Sequence, residues 1–142
     1  MKLRRPICAT GLPRLPRIGI GLKWLPTMNC RRGDIVLVLF PDSNLQTSKR
    51  RSALVVQAER LGTGLPQTIV AMITSNMART GHPSRVMVRA DSDGAKESGL
   101  LMDSVVMTDN LATIRHSEID RVIGTLTGLD EIDAALRTTL AL

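Results

Sequence analysis

The sequence predicts a small, mainly β domain of the α+β type: short strands wound into a small barrel, with helices closing the chain. Three observations predict it. Short continuous apolar runs rich in Val, Ile and Leu recur at 35–40, 53–56 and 68–73, the pattern of buried strands. Turn residues separate them: Gly33-Asp34, Pro41-Asp42-Ser43-Asn44, Gly62-Thr63-Gly64 and Asp93-Gly94. After residue 117 the spacing becomes helical, with Ile119, Val122, Ile123 and Leu126 at i, i+3, i+4 and i+7.

In order, strands are expected at about 34–40, 52–59, 68–73, 85–89 and within 102–107, with a short one near 112–114. The polar connection after the first strand ends in Lys49-Arg50-Arg51, three cations where a loop re-enters the sheet. Residues 85–89 alternate Arg, Val, Met, Val, Arg, as a half-buried strand does. Ser117 is the expected N-cap of a first helix, with Gly124 and Gly128 as breakers. Thr127 with Asp130 would cap a second, whose Leu129, Ile132, Leu136 and Leu140 share a face.

The 142 residues suffice for one domain with a core. The formal charge of +6 suggests a nucleic-acid partner, but it is unevenly spread. Eight of the 19 basic residues and none of the 13 acids fall within 1–32, so the remainder carries eleven basic residues against thirteen acids, a net −2. Any basic patch on the body is therefore local, and Lys49-Arg50-Arg51 is the densest. Residues 1–27 hold four of the seven prolines and the only tryptophan. They read as a basic, Pro-rich leader, disordered or lying upstream of a true start at Met28, with 28–142 as the functional domain. Arginines break every apolar stretch that a secretory signal needs. No apolar run approaches the roughly 20 residues of a membrane span. Cys8 and Cys30 form no C-x-x-C pair, so reduced thiols in a cytoplasmic protein are expected, without a disulfide framework or zinc site.

Three ordered motifs resemble the MazF/PemK family of toxin endoribonucleases. Arg32-Gly33-Asp34 followed by a hydrophobic strand, a loop with serine and then Arg51 is the first. Thr74-Ser75 ending a strand is the second. The third is the run from Ser104 to Ile114, S-V-V-M-T-D-N-L-A-T-I. The resemblance covers the chain from about Cys30 to its end. It implies an SH3-like barrel of the MazF/PemK/CcdB type with a C-terminal helix, usually a homodimer. It also implies a sequence-specific, metal-independent endoribonuclease that cuts single-stranded mRNA without a cofactor. A cognate MazE-like antitoxin would block the RNA groove through an acidic segment and share operator DNA with the toxin.

By that resemblance Arg51 and Thr74 are the catalytic residues. Their chemistry fits such a role. In-line attack by a ribose 2′-hydroxyl builds negative charge on the phosphate, and fixed cations and donors stabilise it. Arg51 is always charged, and its fork matches phosphate oxygens; Thr74 offers a hydroxyl at a strand end. Ser48, Lys49, Arg50, Ser75 and Asn76 are candidate substrate-binding residues beside them. Asp109 is expected to read a base edge or to orient Arg51. Two positions depart from the family pattern: Ser52 replaces the proline after the arginine, and Met107 stands where some members have an arginine. These departures leave two other readings, a gyrase-poison-like toxin and an antitoxin- and DNA-binding regulator on the same fold. Other motifs fail on their own terms. His116-Ser117-Glu118 has no P-C-x-x-C to complete a deaminase zinc site, and Asp91-x-Asp93-Gly94 lacks the other ligands of a calcium loop. With Phe40 the only phenylalanine and no tyrosine, base recognition would rest on hydrogen bonds rather than stacking.

Overall fold

A computed structural model describes residues 30–41 and 48–142. The expected leader, 1–27, lies outside the described residues. Six strands and one helix follow in order: β1 (Asp34–Pro41), β2 (Ser48–Val55), β3 (Gln67–Thr74), β4 (Arg85–Val88), β5 (Ser104–Arg115), β6 (Ile119–Thr125) and α1 (Asp130–Leu140). They form one antiparallel sheet in the order β4-β5-β3-β2-β1-β6. Among the described residues β4 and β6 are its two ends and do not pair, so the expected barrel is not closed. The β4 strand is only four residues long, and α1 packs against it and β5.

Both faces of the sheet are covered, which is why the strands read as continuous apolar runs rather than as an alternation. Ile35, Leu54, Ala71, Ile73 and Val106 point to one side, where Ile132 of α1 joins them. Val36, Val38, Ala53, Val55, Val70, Met72, Ile114 and Ile119 gather on the other. Gly33 opens β1 at φ +98°, a conformation that a side chain resists. Its amide bonds Val55 O and its carbonyl receives Leu126 N, stitching β1 to β2 and to the end of β6. Next to it, Arg32 bonds the Val56 carbonyl through Nε (3.0 Å) and Asp133 of α1 through Nη2 (2.6 Å). It thereby ties the helix to the sheet.

Three expectations are corrected. Residues 119–125 form a strand, not a helix. Two bulges in the β1–β6 register leave Ile123 and Asp120 outside the pairing, and each bulge shifts the side-chain period by one. Apolar positions 119, 122, 123 and 126 therefore mimic helical spacing while serving both faces: Ile119 and Val122 on one, Ile123 and Leu126 on the other. The remaining helix begins after Leu129, and Thr127 donates instead to the Gly94 carbonyl.

Secondly, 104–107 and 112–114 belong to one long strand. Its register with β3 jumps from Ala71↔Leu111 to Met72↔Met107, so Thr108, Asp109 and Asn110 bulge out together. Buried Thr108 anchors that bulge, donating to Ser84 O at 2.6 Å and sharing a hydrogen with Thr139 of α1 at 2.7 Å.

Thirdly, Cys30, expected as a reduced thiol, is disulfide-bonded. The cysteine argument concerned framework and metal spacings, and a single pair carries no spacing signal.

Candidate active site

Lys49, Arg50 and Arg51 are not on a loop. They are β2 residues, opposite Phe40, Leu39 and Val38 of β1. Because side chains alternate along a strand, the cation cluster divides. Lys49 and Arg51 share the face of Ala53 and Val55, while Arg50 lies on the face of Leu54. There Arg50 pairs with Asp120 of β6 at 3.3 Å, so part of its charge is already answered. Arg51 and Lys49 are exposed. Ser48 opens β2 opposite Pro41; its side chain lies outside the described residues.

The β2–β3 ladder runs Val55↔Val70, Leu54↔Ala71, Ala53↔Met72. The pairing ends there. Side chains alternate along each strand, so Arg51 shares the face of Ala53 and Thr74 that of Met72, beyond the last paired residues. Thr74 is half-buried, and its hydroxyl oxygen accepts the Asn76 amide at 3.1 Å. With the oxygen engaged as acceptor, the hydroxyl hydrogen remains to donate. Asn76 caps a short 3-10 turn at Met77–Arg79, its side-chain oxygen accepting from Ala78 N at 3.0 Å. Its NH2 group alone is left for a ligand. Ser75 is exposed between them.

Asp109 does not hold Arg51. It sits in the β5 bulge and receives a fork from Arg85 of β4, Nη2 to Oδ2 at 2.8 Å and Nε to Oδ1 at 3.4 Å. The hydrogen bond from Arg85 holds the Asp109 carboxyl below its ordinary value of 3.8. The charges of Arg85 and of nearby His82 act the same way, and partial burial opposes them. The stability that this pair contributes is complete above 3.8 and is lost as pH falls through the lower value of the folded protein. Carboxyl NMR should therefore give an Asp109 midpoint below 3.8, returning toward it in Arg85→Ala. Sequence reading missed Arg85 as a partner; its only signal was the Arg-Val-Met-Val-Arg alternation.

Elsewhere, a groove of about 450 Å³ lies between β4 and α1 and is lined by Arg85, Met87, Glu131 and Ala135 among others. Neither Arg51 nor Thr74 reaches it. His116 Nδ1 is buried with no hydrogen-bond partner, and burial pushes the ring's pKa down. Among the described residues no group of three or more His, Cys, Asp or Glu is arranged to hold a metal, and no helix is long and apolar enough to cross a membrane.

The chain is thus one six-stranded antiparallel sheet with a single C-terminal helix among the described residues. An endoribonuclease solved with its cognate antitoxin from a mycobacterial species shares the fold, at a TM-score of 0.61 and 22% identity over 80% of this chain and 96% of that one. Residues 31–140 match the model of the PemK-like, MazF-like toxin of type II toxin–antitoxin systems, and the chain belongs to that family. Among curated relatives, endoribonuclease MazF6 of Mycobacterium tuberculosis is 32% identical over 73% of this chain and 90% of its own length. Endoribonuclease EndoA of Bacillus subtilis is 30% identical over 81% of this chain and 97% of its own.

Proposed function

We propose that this MazF-like toxin is a sequence-specific endoribonuclease that cuts single-stranded mRNA without a metal, using Arg51 and Thr74. The observation that carries the reading is that those two residues stand on one face of the sheet, beyond the last paired residues of β2 and β3. The names of the relatives support it.

In the reaction the ribose 2′-hydroxyl loses its proton and attacks the adjacent phosphorus, and the bond to the 5′-oxygen breaks. That oxygen takes up a proton. The products are a 2′,3′-cyclic phosphate and a 5′-hydroxyl. Arg51 donates from its fork to the non-bridging oxygens as their charge grows. It does not act as base, because a guanidinium with pKa above ~12 has almost no neutral form at pH 7. Thr74 adds a neutral donor from the opposite strand. Lys49, Ser75 and the Asn76 amide hold flanking groups. Arg50 is the weaker candidate, since Asp120 already pairs with it.

The wider assembly follows the family: a cytoplasmic homodimer, a MazE-like antitoxin that covers the groove with an acidic segment, and operator DNA bound together with that antitoxin. Residues 28–142 form the toxin unit.

The test is incubation of the full chain with long single-stranded RNA in EDTA, followed by end-group analysis. Discrete cuts ending in cyclic phosphate are expected. Intact RNA after exposure to well-folded protein would turn the reading to a gyrase poison or a regulator.

A further inference from the structure

We propose that Arg85, held in place by Asp109, is a further phosphate-holding residue of the RNA groove, gripping the strand beyond the nucleotide that is cut. This rests on the ribonuclease reading above.

The register across the sheet sets Arg85 on the working face. Ala53 pairs with Met72, Met72 with Met107, and Met107 with Arg85. Opposed residues share a face, so Arg85 stands on the side of the sheet that carries Arg51 and Thr74. The adjacent row runs from Thr74 through Val105 to Met87. Neighbouring strands are about 4.8 Å apart, and β5 separates β4 from β3. Arg85 therefore lies about 10 Å across the sheet from the Thr74 strand, too far to share its phosphate and suitably placed for another.

The chain between them connects the two positions. Thr74 leads through Ser75 and Asn76 into the 3-10 turn at Met77–Arg79, and the Arg79 carbonyl accepts Arg85 Nη1 at 3.4 Å. Exposed polar groups thus line the way from the cutting residues to Arg85.

The pair is built to present donors. A guanidinium has five N–H groups; two go to Asp109 and one to the Arg79 carbonyl. Two remain. The side chain keeps a quarter of its surface open to solvent. Asp109 cancels one charge, and exposed Arg79, whose carbonyl Arg85 bonds, brings another cation to the same turn. A fixed fork with spare donors in such a field fits a phosphodiester oxygen.

The experiment measures binding of a 2′-O-methylated single-stranded oligonucleotide that spans a cut site mapped with the wild-type chain, across 50–200 mM salt. Arg85→Ala should weaken binding by about tenfold and reduce the slope of log K against log salt by about 0.7, the share of one phosphate contact on a single strand. Because that substitution also strips the partner from Asp109, the double variant Arg85→Ala with Asp109→Ala is measured beside it and should show the same loss of slope. Arg85→Lys should keep the slope and lose part of the affinity, and it carries the test if the alanine variants fail to fold. Return of wild-type slope in the double variant assigns the effect to bare Asp109 and overturns the inference, as does an unchanged slope in every variant while the wild-type chain still cuts RNA. A wild-type chain that neither cuts nor binds removes the ribonuclease reading, and this inference with it.

Discussion

Replacing Arg51 with alanine is expected to slow RNA cutting by a factor of about 10² to 10³, the usual cost of removing one preorganised donor from developing charge. The melting temperature should stay near that of the wild type. Arg51 is exposed in the first half of β2 and belongs to neither core cluster. Thr74→Ala should cost less, about tenfold, since a neutral hydroxyl contributes less than a charged fork. Single-turnover cutting at saturating enzyme reads both, because it separates the chemical step from binding. Equal loss of rate and of thermal stability in Arg51→Ala would mean that the residue is structural. Full cutting with an intact fold would keep the enzyme and move its site.

The second large effect is on folding. Gly124→Ala should destabilise the protein by about 3 kcal/mol, near the top of the range for overpacking, and lower Tm by about 10 °C. Gly124 lies on β6 opposite Ile35, and a Cβ there would run into the carbonyl of Glu97 and the backbone of Ser98. Those atoms are not the ends of flexible side chains that can turn aside. The same turn is fastened to β6 by a 2.7 Å bond from Thr125 N to Glu97 O, so it cannot retreat without breaking that bond. Thermal melts of Gly124→Ala and of Gly128→Ala make the comparison. At Gly128 nothing lies within 4 Å of the added methyl, and the cost comes from its φ of +70° alone. Gly124 has no positive φ, so a Tm loss there no larger than at Gly128 would show that the turn gives way to the added methyl.

Much of the sheet was readable because apolar runs and turn residues are local signals. The first strand, the third and the fourth fell within a residue or so of where the spacing set them. What failed depended on partners distant in sequence. Lys49-Arg50-Arg51 look like a solvated loop until β1 supplies their hydrogen-bonding edge. Residues 119–125 read as a helix because two bulges turned a period of two into spacings of three and one. Arg51 and Thr74 could be named from motif order, but that they share a face appears only when the β2–β3 register is counted. Asp109 was legible as an acid at a strand end. Its partner was not, since the pairing crosses from one strand to another through a bulge that no local pattern announces.

That bulge has an effect on how the protein can change. On either side of residues 108–110 the β3–β5 ladder is in register by itself. A residue gained or lost there alters no inward or outward assignment elsewhere in the sheet. It does alter where Asp109 points, and with it Arg85. Arg51 is set by the β1–β2 ladder and Thr74 by the stretch of the β3–β5 ladder beyond the bulge, and both stay where they are. The sheet thus keeps Arg51 and Thr74 on a fixed frame and the Asp109–Arg85 pair on an adjustable one, so the second can drift while the first stands still.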